Sequence, residues 1–116
     1  MSKRLINNIN KLKFKPFDNY GKIVNGMFWH KISYDKKNGG YGTYFLKMEP
    51  GAKSLLHEHK GFEEFLVIDG ELKDADGKIF KKGDLVTFFP GSTHNSFTKN
   101  GCLLLVFMRG INKKIY

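Results

Sequence analysis

Only one of the 116 residues is a cysteine, and only three are prolines. The lone Cys102 cannot close an internal disulfide, so the chain reads as a protein of a reducing compartment, with the cytoplasm as its expected location. It opens the apolar run Cys102–Met108, which marks it as a buried, inert thiol rather than a reactive one. No segment reaches the ~18 apolar residues of a membrane-spanning helix. The basic start, Met1 to Asn8, is not followed by the apolar stretch of a secretory signal. These absences argue against a disulfide-stapled secreted protein and against a membrane partner.

Acidic residues are missing from both ends. Residues 1–17 carry Lys3, Arg4, Lys11, Lys13 and Lys15, and residues 109–116 carry Arg109, Lys113 and Lys114, with no acid in either stretch. The body between them is nearly balanced, so the net charge of +9 is a property of the tails. Nothing resembles a groove-reading helix or a base-stacking surface, and no specific nucleic-acid partner is expected.

What is abundant is phenylalanine, at 11 copies, and glycine, at 13. Bulky aromatics punctuated by glycine suit strands joined by tight turns. The length suits a single domain. Residues 1–20 read as an N-terminal arm, either a short helix presenting Leu5, Ile6, Ile9 and Leu12 or an edge strand in which Leu12 and Phe14 alternate with lysines. Residues 21–116 read as the folded body. Strands are expected at Met27–Tyr34, Gly42–Glu49, 53–59, 63–69, Leu85–Phe89, Thr93–Thr98 and Cys102–Met108. A hairpin is expected over Leu72–Phe80 around Asp76-Gly77. This is an all-β pattern, a sandwich or barrel. The runs 65–68 and 103–108 are apolar at consecutive positions, so both faces of those strands should be covered, one by a second sheet and the other by a partner subunit. A homodimer is therefore expected.

Three of the four histidines fall in two segments with metal-site character. On a strand, residues i and i+2 share a face, so His57 and His59 project together while Glu58 points away. After a turn at Lys60-Gly61-Phe62 the chain returns with Glu63, and His94 follows a later turn at Pro90-Gly91. Histidines with one carboxylate form an established ligand set for zinc, iron, manganese or nickel. His30 lies outside both segments and reads as a structural histidine. Phe65 and Val67 share the phase of Glu63 and should point inward with it.

Here the sequence resembles the cupin superfamily. Gly51, His57, His59, Glu63 and Gly70 follow the spacing of its first motif. Gly83, Gly91 and His94 follow the second, with Phe89 in the place of its proline and Thr98 in the place of its asparagine. Glu64 fits the first motif less well and faces the opposite side of the strand, so Glu63 is the expected carboxylate. The closer likeness is to the ChrR-like cupins, carried by His57-Glu58-His59, Glu63 to Leu72, Lys82-Gly83-Asp84, Pro90 to His94 and Gly101 to Leu104. The resemblance implies a cupin-type double-stranded β-helix, a jelly-roll barrel. It also implies one divalent metal ion, zinc or iron foremost and manganese or nickel next, held by His57, His59, Glu63 and His94. Two functions follow as expectations. One is a small-molecule metalloenzyme, such as a dioxygenase acting on a diketone or hydroxyketone. The other is a non-catalytic zinc-binding sensor module. No acid–base residue beyond the ligands can be named from sequence.

Overall fold

Period-two alternation becomes eleven strands among residues 3–115, which the computed structural model describes; Met1, Ser2 and Tyr116, the outer ends of the expected arm and body, lie outside the described residues. In chain order the strands are β1 (Lys15–Pro16), β2 (Met27–Lys31), β3 (Tyr41–Met48), β4 (His57–His59), β5 (Phe62–Asp74), β6 (Ile79–Lys81), β7 (Leu85–Phe88), β8 (Thr93–His94), β9 (Ser96–Phe97), β10 (Cys102–Arg109) and β11 (Asn112–Lys114). One sheet runs β1-β2-β3-β10-β5-β6, with β7 and β9 also paired to β5, and a small sheet runs β11-β4-β8. All pairings are antiparallel. Residues of both sheets border one cavity, consistent with the jelly roll that the resemblance implies.

The inward side chains of β3, β5 and β10 build the core. Tyr44, Leu46, Met48, Phe65, Val67, Leu72, Leu104, Val106 and Met108 are all buried. Each such large apolar side chain contributes about 1.5–3 kcal/mol when taken from water. Phe65 and Val67 point inward with Glu63, as their phase predicts, and Cys102 is buried. The outward residues Leu66, Ile68, Leu103 and Leu105 are half-buried and Phe107 is exposed in the single chain.

Two differences from the sequence reading have local causes. Gly70 does not end a strand. It adopts φ +77°, and a Cβ there would strike the Gly101 carbonyl. Beside it the register with β10 shifts at Leu103/Leu104. The long β5 bends through this irregularity and leaves β10 to pair with β6 and β9. The expected strand Thr93–Thr98 is split in two, with β8 on β4 and β9 on β5. Within residues 3–20, β1 pairs with β2 and Phe17 packs edge-on against Trp29 with ring centres 4.7 Å apart. Ahead of it, residues Ile9–Lys11 form a single 3-10 turn. His30 holds this segment, meeting Asn7 Oδ1 at 2.8 Å and the Lys13 carbonyl at 3.1 Å, a structural role.

Candidate metal centre

The small sheet and the start of β5 bring the four expected residues together. His57 and His59 lie on one face of β4, His94 sits directly opposite His57 on β8, and Glu63 is the first inward residue of β5. The hairpin that returns Glu63 needs Gly61, since a Cβ there would collide with the Arg109 carbonyl. One potential ligand atom from each of the four lies within 4.8 Å of the others. Glu63 Oε2 is 2.8 Å from His59 Nε2 and 3.9 Å from His57 Nε2. Glu64 points the other way, accepting from Thr87 Oγ1 at 2.7 Å and from Arg109 at 3.1 Å.

The outer nitrogen of each ring assigns its tautomer. His57 Nδ1 donates to the Leu55 carbonyl at 2.8 Å. His59 Nδ1 lies 2.9 Å from Ser92 Oγ, whose own proton goes to the Phe89 carbonyl at 2.6 Å, so the imidazole is the donor. His94 Nδ1 donates to Asp74 Oδ1 at 3.2 Å, and Ser96 Oγ donates to the same oxygen at 2.5 Å. All three Nε2 atoms therefore carry lone pairs. They are buried and have no hydrogen-bond partner among the described residues. The 2.8 Å approach of His59 Nε2 to Glu63 is thus a convergence of two acceptors. Each unsatisfied buried polar atom costs roughly 1–3 kcal/mol. Three imine nitrogens and a carboxylate aimed at one point fit a divalent cation.

The electrostatics agree. Burial, reinforced by the neighbouring histidines, pushes His57 down to about 4 against the pull of Glu63. Burial pushes the Glu63 carboxyl up, but where the imidazoles carry a proton toward it, the hydrogen bond from His59 and the positive charge of His57, His59 and His94 outweigh burial and leave it at about 2. Neutral imidazole beside ionised carboxylate is the protonation state that a metal requires.

The site opens on a cavity. His57, Glu63 and His94 line one end, and Phe17, Met27, Leu46, Phe65 and Val106 are among its apolar walls. The space open to the centre of a water molecule is about 40 Å³. Sequence reasoning missed four contributors. Phe88 stacks on His94 with ring centres 4.1 Å apart and on His59 at 4.9 Å. Asp74 braces His94 from the far end of β5. Asn112, on the unanticipated β11, donates to Glu63 Oε2 at 3.2 Å. Tyr20, grouped with the arm, borders the cavity with its ring 6.2 Å from His57. Only Phe88 carried a usable signal, an inward position on an alternating strand close to the second motif. The two motif departures stay away from the ligand atoms. Phe89 braces the turn through its carbonyl, and Thr98, fully buried, donates to the Glu71 carbonyl at 2.7 Å.

Comparison with known proteins agrees with the fold. A comparison with curated proteins finds no match. Among solved structures, the chain is similar to an acetylacetone dioxygenase from Acinetobacter johnsonii (TM-score 0.75, 16% identity, covering 100% of this chain and 83% of that one). It is also similar to the polyketide cyclase RemF from Streptomyces resistomycificus (TM-score 0.71, 17% identity, 100% and 87%). A third likeness is to the Rhodobacter sphaeroides complex of SigE with the anti-sigma ChrR (TM-score 0.69, 17% identity, 88% and 52%). At such identities these likenesses speak for the fold alone. The family described as the ChrR Cupin-like domain matches residues 2–112, nearly the whole chain, and the chain belongs to that family.

Proposed function

We propose that His57, His59, Glu63 and His94 hold one divalent metal ion, and that the chain is a small-molecule metalloenzyme, a dioxygenase acting on a diketone or hydroxyketone. The observation that carries this reading is the cavity. Three of the four donors line it, so the donor set has an open side instead of being sealed on all sides. A structural site is closed by its ligands, whereas a site with an open side exchanges substrate. Zinc and iron are the favoured metals, and manganese and nickel suit the same donors. A bound ion would supply Lewis acidity, or redox chemistry with O₂ if it is iron.

The chain's own residues orient and shield. Leu55, Ser92 and Asp74 fix the three imidazoles, Asn112 turns the Glu63 carboxylate, and the apolar walls exclude water from a bound molecule. The likeness to an acetylacetone dioxygenase supports the substrate class. The second reading is a zinc-binding sensor without turnover. It draws support from the cavity wall, where Glu63 is the only charged side chain other than the histidines among the described residues. We also propose a cytoplasmic homodimer, supported by the outward Leu66, Leu103, Leu105 and Phe107.

Metal analysis of protein purified without added metal, followed by O₂ uptake on a diketone panel, separates the two readings. Iron with uptake supports the dioxygenase. Stoichiometric zinc without uptake supports the sensor. No metal, with stability unchanged in His57→Ala, contradicts both.

A further inference from the structure

The metal cavity shares a wall with a larger space. A groove beside it leaves about 610 Å³ open to the centre of a water molecule, against about 40 Å³ in the cavity itself. Tyr20 and Leu55 border both. Both are also neighbours of His57. The Tyr20 ring centre lies 6.2 Å from that of His57, and the Leu55 carbonyl accepts from His57 Nδ1. β11 links the two spaces as well. Asn112 donates to Glu63 in the cavity, and Lys114, two residues on and so on the same face, borders the groove. In the sheet register Lys114 stands opposite His57.

The two spaces differ in charge. Apart from the donor set, the described residues around the cavity are neutral. Around the groove, Lys22, Lys53 and Lys114 stand against Glu49 as the one acid among the described residues. Lys22 and Lys53 are exposed, and neither takes part in an ion pair among the described residues. Lysines of one sign at the mouth of a cleft concentrate anions and speed their arrival. A divalent ion beside one ionised carboxylate keeps a net positive charge, so the attraction continues inward from the lysines to the donors. The cavity has room for only a few water-sized groups, which limits what passes to small molecules.

We infer that this groove is the entrance to the metal cavity, and that Lys22 and Lys53 make it selective for small anions. Tyr20 and Leu55 form the threshold between the two spaces. The ligand class is a compact anion, met first by the lysines and then by the donor set. This inference rests on the metal reading above and goes beyond it, because it assigns the route and the charge of what enters, with or without turnover.

The test uses the full chain loaded with cobalt(II), whose visible absorption changes when a ligand joins its coordination shell. Association rates are measured by stopped flow at low ionic strength and about pH 8, where imidazole is neutral. The probes are azide as the anion and imidazole as the neutral ligand. Wild type is compared with Lys22→Glu/Lys53→Glu and with Lys22→Gln/Lys53→Gln. Both lysines are exposed, so cobalt content and Tm should match wild type in both variants. Azide should associate about tenfold more slowly with the glutamate variant and by an intermediate factor with the glutamine variant, while the imidazole rate changes less than about twofold. Salt at about 1 M, which shortens the screening length to about 3 Å, should close the gap. Equal azide rates in wild type and the glutamate variant overturn the inference. An equal loss for both probes also overturns it, since that marks a distorted groove and not a charge effect, and so does a wild type whose spectrum neither probe changes. If the glutamate variant does not fold, the glutamine variant decides, and an unchanged azide rate there overturns the inference. A wild type that takes up no cobalt is a distinct result and overturns the metal reading along with it.

Discussion

The two sheets of this jelly roll divide the work unequally. The large sheet carries most of the apolar core, from Trp29 through Leu46 and Phe65 to Val106. The small sheet β11-β4-β8 contributes no buried apolar side chain among the described residues; its buried groups are histidines. Polar contacts from His59 to Ser92, His94 to Asp74 and Asn112 to Glu63 help to position it, together with the Phe88 ring stacked on His59 and His94. A sheet without an apolar core of its own needs another organising element. A metal ion bound at the three Nε2 atoms and Glu63 would serve as that core, tying the small sheet to β5 of the large one.

Truncating the large sheet should give the biggest loss. Phe65 is 2% exposed and packs against Phe80 and Phe88. Phe65→Ala should cost about 3–5 kcal/mol in denaturant unfolding. A cost below that of an ordinary surface substitution would mean the core is not centred where the structure puts it.

Next comes the brace behind the small sheet. Asp74→Asn keeps the shape but weakens the acceptor for His94 Nδ1, and should lower metal affinity about 10- to 100-fold in a chelator competition. Stability of the metal-free chain should move far less than in Phe65→Ala. If the two losses come out the other way round, with stability hit and metal affinity untouched, the division between the sheets fails.

Acid should act through the small sheet as well, more gradually. In the metal-free chain His57 sits at about 4, below the 6.5 of an unperturbed imidazole, and Glu63 at about 2, below 4.5. The unfolded chain binds more protons than the folded one across both windows. Stability should therefore fall as pH drops from about 6.5 toward 4 through His57, and from about 4.5 toward 2 through Glu63. Thermal melts of metal-free protein from pH 8 to 4 check the sign; a Tm that rises on acidification contradicts it.

How much of this was legible in the sequence depended on distance along the chain. His57, His59 and Glu63 could be paired because a strand and a tight return place them within a few residues, and Glu63 could be told from Glu64 by strand phase. The buried Cys102 and the Asp76-Gly77 hairpin followed from equally local rules. Asp74, Asn112 and Tyr20 could not be found that way. Each reaches the site through the register of strands far apart in sequence, or through a terminal segment whose own pattern is weak. Gly70 looked like a strand end because glycine breaks local alternation; only its close approach to Gly101 shows why the strand bends there and continues.

The most direct test of the metal core is ion stoichiometry by plasma mass spectrometry on the purified chain, with Glu63→Gln and Glu64→Gln in parallel. One divalent ion per chain is expected in wild type and in Glu64→Gln, with a marked loss in Glu63→Gln. No bound ion in wild type after incubation with zinc, iron, manganese and nickel, or equal retention by the two glutamine variants, would contradict it.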